Sequence, residues 1–396
     1  SLWTNYINTE EVPESMSRDT WRCHIEEAQR WIQDVADDTP IQMLCEVQMV
    51  VKEYGHARTA MHELYKIVRA SSAVDLHKDF ARYEREFREQ QNFKSDGSTP
   101  FKAACRDGDD FFLLPLLDGL DAKDLQEGLK IACEHVRPTS VKLLIDTQNP
   151  NTDLLSEALR ITVTCNDGRK GFKTADSERE QIVRLLIAAK ADVNAATGNG
   201  RVPLHGAASN GYSSIAALLI GASADVNVKD SISYTPCCMA AEKNEVETLK
   251  VLINAKADTN IGCGNGWRPI IAAAFSGWLD TAQLLVECKT DLELTNNRGG
   301  TATLMAAEKG HPAVLRVLLQ AKTNPNKGQN GGYTPLFMAA QFARVNCLKI
   351  LLEFKAEIDK PAGNQVRPLW IATEQDNVDV IKFLLEAKAD PNIKNG

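Results

Sequence analysis

Three groups of residues have types and spacings that bear on chemistry: the adjacent thiols Cys237 and Cys238, the segment Gly198-Asn199-Gly200-Arg201, and the histidines His24, His56, His62 and His77. A thiol pair does redox chemistry only if one member ionises, which requires electropositive, partly exposed surroundings. Cys237 instead falls where a regular pattern elsewhere places a buried aliphatic residue, so a small core hydrophobe is expected there. The Gly-Asn-Gly-Arg segment matches part of a nucleotidyl-transfer loop. That reaction needs a His-Pro-Phe element just upstream to supply a base, and residues 193–197 contain none. Asn-Gly is turn chemistry, and related segments recur at Gly264-Asn265-Gly266 and Asn330-Gly331-Gly332. His56 and His62 are six residues apart, on opposite faces of a helix, and no H-E-x-x-H pair exists. No phosphate-binding loop, nucleophile elbow, kinase signature or dinucleotide fingerprint is found. Catalytic, cofactor-binding and metal-ligating residues are therefore all assigned as none, no cofactor is expected, and the chain is expected not to be an enzyme.

The elements that would position such residues are organised by a repeat. Val202-Pro203-Leu204-His205-Gly206-Ala207-Ala208 returns as Thr235-Pro236-Cys237-Cys238-Met239-Ala240-Ala241. It returns again at Arg268-Pro269-Ile270, Thr301-Ala302-Thr303, Thr334-Pro335-Leu336 and Arg367-Pro368-Leu369. The anchor positions 204, 237, 270, 303, 336 and 369 are 33 residues apart, and 14 residues after each begins an apolar pair or triplet such as Leu218-Leu219 or Val251-Leu252. Thr caps a helix and Pro suits its first turn. Paired alanines let helices approach closely, and the aliphatic pair marks the buried side of a second helix.

This pattern resembles the ankyrin repeat, a β-turn or hairpin followed by two antiparallel helices. Weaker units begin at Thr99-Pro100-Phe101, at Leu129 and at Leu159. The last has its aliphatic pair Leu185-Leu186 delayed by about 12 residues, which points to an insertion near 164–180. The expected fold is all-α: an ankyrin solenoid of nine repeats over residues 97–396, preceded by a small helical bundle over residues 1–96. In the N-terminal region Trp21, Ile25, Ala28, Ile32 and Val35 recur at helical spacing, as do Leu76, Phe80, Tyr83 and Phe87. The final segment, Asn392-Ile393-Lys394-Asn395-Gly396, leads into a further unit in the other repeats, so continuation or truncation is expected there.

The resemblance implies a non-catalytic scaffold or adaptor with protein partners on a concave face. In this family the variable contact positions lie three residues before the anchor and five or six after it. That selects a stripe of Arg201, Tyr234, Trp267, Phe275, Tyr333 and Phe342 as partner-binding residues. Tyr, Trp and Arg dominate interface energies, although large side chains along the tips also stiffen an array. A projecting finger is one reading of Asn166–Lys173, a solvated loop the other. Two alternatives stay open: a permanent subunit of a larger assembly docked through residues 1–96, and the regulatory arm of an enzyme or channel continuing beyond residue 396.

One departure from the family is regular. The residue that closes the second helix is ordinarily Gly, because the chain turns left-handed there. Here it is Lys190, Ser223, Lys256, Lys289, Lys322, Lys355 and Lys388. A left-handed Lys costs about 1 kcal/mol, partly offset by its charge at the negative end of the helix dipole. A ladder for an acidic partner is the other reading, but Asp192, Asp258, Asp291, Glu357 and Asp390 follow two residues later and neutralise the stripe.

Composition sets the outer limits. With 45 basic and 53 acidic residues the net charge is −8, which argues against nucleic acid as a partner. No apolar run is long enough to span a membrane, and no leader pattern opens the sequence. The 10 cysteines form no C-x-x-C pair or metal-site spacing, so an intracellular, reducing compartment is expected, cytoplasmic by default and an organelle interior otherwise.

Overall fold

A computed structural model describes residues 100–108, 113, 116–117, 120–164, 173–363 and 365–393. The expected N-terminal bundle, with its four histidines, and most of the Asn166–Lys173 segment lie outside the described residues. The chain divides into two compact units, residues 1–103 with 111–119 and residues 104–110 with 120–396; the second contains the repeats.

Every regular element among the described residues is a helix. The first is α1 (Pro100–Asp107). Eight antiparallel pairs follow: α2 (Ala122–Glu134) with α3 (Pro138–Gln148), α4 (Thr152–Thr164) with α5 (Lys173–Ala188), α6 (Pro203–Asn210) with α7 (Ser213–Gly221), α8 (Pro236–Glu242) with α9 (Val246–Asn254), α10 (Pro269–Ser276) with α11 (Leu279–Glu287), α12 (Ala302–Lys309) with α13 (Pro312–Gln320), α14 (Pro335–Gln341) with α15 (Val345–Glu353), and α16 (Pro368–Glu374) with α17 (Val378–Glu386). First helices stack on first helices and second on second, so every unit meets the same kind of neighbour.

The local reasons match the residues. Thr235, Thr301 and Thr334 each accept the N–H three residues on, at 3.3, 3.2 and 3.2 Å, and so cap α8, α12 and α14. The alanine pairs 207–208, 240–241, 273–274, 306–307 and 339–340 are fully buried between stacked first helices. Cys237 is buried in the place of the anchor leucine. The delay before Leu185-Leu186 is partly helical, because α5 has 16 residues where the second helices from α7 onward have 9.

The hairpin expected between units reduces to a tight turn, with no strand among the described residues. In each tip one N–H donates to the carbonyl four residues on, as Asp230 does to Tyr234 and Cys263 to Trp267, both at 2.9 Å. Only one such pair forms per tip, too few for a strand. Neighbouring tips are joined by a single backbone bond, for example Gly264 N–H to Ile232 O at 2.8 Å and Asn297 N–H to Asn265 O at 3.1 Å. The Gly198–Arg201 segment is one of these tips: Gly200 N–H donates to Thr197 O at 2.8 Å.

All seven residues that close the second helices are left-handed, with φ of 70° at Lys190 and Ser223, 68° at Lys256 and Lys388, 58° at Lys289, 65° at Lys322 and 63° at Lys355. The carboxylates that follow have a structural use beyond neutralising the row. Asp192, Asp225, Asp258, Asp291 and Asp390 each accept the N–H two residues on. The residue at that second position accepts from the next unit: Asn194 from Asp225 N–H at 2.9 Å, Asn227 from Asp258 at 2.8 Å, Asn260 from Asp291 at 3.0 Å. These bonds tie the loops of consecutive units into one ladder.

Candidate protein-interaction surface

The residues expected to bind a partner lie on the tips and on the ends of the first helices, and the structure gives each a distinct setting. Trp267 and Phe275 pack edge to face with ring centroids 4.8 Å apart, a favoured geometry for aromatic pairs. The Lys309 ammonium sits 4.5 Å above the Phe275 ring and 2.9 Å from Glu308. Tip 267, helix α10 and helix α12 thus contribute to one half-exposed cluster that spans two units. Tyr333 lies 5.1 Å from the buried ring of Phe337. Phe342, the residue that closes α14, is largely exposed.

Tyr234 and Arg201 are also used internally. The Tyr234 phenol lies beside the Cys263 thiol, and burial is the main cause that pushes its pKa up, so it stays neutral. Arg201 Nε lies 3.2 Å from Asp230 Oδ2, a carboxylate whose side chain is 1% exposed. Asp230 in turn accepts Ile232 N–H at 3.1 Å and Tyr234 N–H at 2.8 Å. Half of the Arg201 side chain remains in solvent. At Gly300, between the Trp267 and Tyr333 tips, a β-carbon would meet the end of the Met305 side chain, Cε at 2.8 Å, which would have to shift.

The buried thiols behave as core. Burial pushes the Cys237 thiol well up and the Cys238 thiol to about 11, which disfavours the thiolate that redox chemistry requires. Cys238 Sγ approaches Trp267 O at 3.9 Å. His205, one unit earlier, makes the corresponding bond from Nε2 to Tyr234 O at 3.0 Å and accepts Val202 N–H at Nδ1. Burial is the largest influence on His205 and lowers its pKa, so it works as a neutral connector.

One set of functional positions is invisible to residue-type reasoning. Trp278, His311, Arg344 and Asn377 stand eight residues after their anchors and share no chemical family. Each donates from a side-chain nitrogen to the carbonyl 36 residues earlier: Trp278 Nε1 to Glu242 at 3.1 Å, His311 Nε2 to Phe275 at 3.0 Å, Arg344 Nε to Glu308 at 3.2 Å and Asn377 Nδ2 to Gln341 at 3.4 Å. These carbonyls end the preceding first helix and lack an intrahelical donor. The only signal in the sequence is that all four side chains carry an N–H at 33-residue spacing. Left-handed glycines make room for two of them: a β-carbon would lie 2.5 Å from His311 Nδ1 at Gly277, φ 81°, and 2.6 Å from Arg344 Cδ at Gly310, φ 82°.

A stacked array of helix pairs with partly exposed aromatic tips defines a repeat protein. A family model for ankyrin repeats matches residues 129–230, 237–329 and 305–395. The chain belongs to the ankyrin-repeat family, whose units are in general protein–protein interaction modules. The match starts at 129, so the unit expected at Thr99 and the total of nine rest outside it. No curated protein matches the chain. Among the described residues, no helix is long and apolar enough to cross a membrane.

Proposed function

We propose that the chain is a non-catalytic adaptor that binds polypeptide partners across the concave side of its ankyrin array, through Trp267, Phe275, Tyr333 and Phe342, flanked by Tyr234 and Arg201. The observation that carries this reading is the Trp267–Phe275–Lys309 cluster, an aromatic pair with a cation on its face left half-exposed at the positions the family uses for contact. Interior aromatics of an array are fully buried, as Phe337 is; these are not. Residues 1–96 are proposed as a separate helical region, and cysteines that form no disulfide among the described residues suit a reducing compartment.

The test is affinity purification of the full chain and of the double variant Trp267→Ala/Phe275→Ala, followed by quantitative mass spectrometry of bound proteins. Loss of two central aromatic anchors is expected to weaken a partner by about 2 kcal/mol or more, roughly 30-fold. Full retention of the same partners by a folded double variant sinks the proposal. A single partner set at fixed stoichiometry, lost only when residues 1–96 are removed, favours the permanent-subunit reading instead.

A further inference from the structure

The tip loop Asp230-Ser231-Ile232-Ser233-Tyr234 departs from its neighbours in two ways. Ile232 is 56% exposed, the most exposed large apolar side chain among the described residues. The equivalent positions in four other tips are Asn199, Asn265, Arg298 and Gly331, so the turn itself does not call for an aliphatic residue. Ser233 is left-handed at φ 63°, where four of the other tips use Gly200, Gly266, Gly299 and Gly332.

The loop is nonetheless held rigidly. Asp230 accepts the N–H groups of both Ile232 and Tyr234. The Ile232 carbonyl accepts Gly264 N–H at 2.8 Å, and Ser231 N–H donates to Asn199 O at 2.9 Å, so both neighbouring tips clamp it. Charge is arranged in the same direction. The Asp230 carboxylate is 1% exposed, whereas Arg201 is half exposed and Lys229 is exposed. Solvent therefore meets an aliphatic knob on a tip that also exposes Lys229 and half of the Arg201 side chain, with the one carboxylate of the loop turned inward and paired to Arg201.

We propose that this tip is a second contact element, in which Ile232 buries against an apolar residue of an acidic polypeptide segment while Arg201 and Lys229 pair with its carboxylates. The inference rests on the reading of the array as a protein-binding module and extends its footprint from the aromatic stripe to the outer edge of the tips. A held backbone loses little freedom on binding. Pairs at the exposed rim make the contact salt-sensitive.

A phage-displayed library of random peptides panned on the full chain, with the Ile232→Ser chain as the subtracting bait, tests this. Expected are peptides that combine aliphatic and acidic residues, bind Ile232→Ser about tenfold more weakly, and weaken further with Lys229→Ala and with added salt. Ile232 is 56% exposed, so the thermal midpoint of the variant serves as the folding control and is expected to stay close to that of wild type. Enriched peptides that bind Ile232→Ser within a factor of two of wild type, or failure to enrich any that distinguish the two chains, overturns the proposal. Peptides lost on Trp267→Ala/Phe275→Ala but kept on Ile232→Ser overturn it while leaving the aromatic stripe in place; the reverse pattern supports it and counts against the stripe.

Discussion

Replacing Lys256, Lys289 and Lys322 together by Gly is expected to stabilise the array. All three are exposed and left-handed, with φ of 68°, 58° and 65°. Removing the β-carbon relieves about 1–2 kcal/mol at each position. Against this stand the lost charge at the helix C-terminus, about 0.3–0.5 kcal/mol when exposed, and the greater freedom of Gly in the unfolded chain, about 0.4–1 kcal/mol. The net is about 0.5 kcal/mol per site. Stacked helices lie about 8–10 Å apart, far enough for the three effects to add, so the triple variant should gain about 1.5 kcal/mol. In urea, with a slope of about 3 kcal/mol/M, the midpoint followed by circular dichroism rises by about 0.5 M. The triple Ala variant separates strain from charge: it keeps the left-handed β-carbon and loses only the ammonium, and its midpoint is expected to fall slightly. A triple Gly variant at or below the wild-type midpoint would falsify the strain argument and leave the lysines as net stabilising caps.

Gly277→Ala should destabilise by about 2 kcal/mol, from a left-handed β-carbon and from the displaced His311 bond to Phe275 O; urea denaturation reads this directly. His205 gives a pH dependence of known sign. Its pKa is lowered on folding, so the unfolded chain binds the extra proton: its contribution is complete above pH 6.5 and declines as pH falls below that value, by at most about 1.4 kcal/mol per unit. Urea midpoints between pH 5 and 8 should show a decline that His205→Gln lacks. Thiol labelling with peptide mapping should modify Cys288 first among the described cysteines, because it alone of them is exposed. Cys237, Cys238 and Cys105 should stay unlabelled until the chain unfolds, and prompt labelling of Cys237 would reopen the redox reading.

Much of the fold was legible in the residues because a repeat array is local. Each unit meets a neighbour like itself, so the same burial is demanded every 33 residues. The Thr caps, the alanine pairs, Cys237 as core and the left-handed lysines all follow from that demand. Side-chain partners were less legible. Arg201 and Tyr234 are legible as contact residues, yet both also brace the array, because Asp230 and Cys263 are brought beside them only by stacking. The hairpin shrank to a turn because each tip pairs a single residue across itself.

What the sequence by itself determined is the periodic framework: unit length, helix starts, core positions and the sites where the chain must turn left-handed. Tertiary structure alone decided which unlike side chains do the same work. Trp278, His311, Arg344 and Asn377 look unrelated until stacking sets each beside a helix-end carbonyl 36 residues back. Ile232 looks like one more aliphatic residue until its tip holds it in solvent. Hydrophobic periodicity is written along the chain, whereas a hydrogen bond or an exposed knob depends on where a neighbouring unit places its atoms.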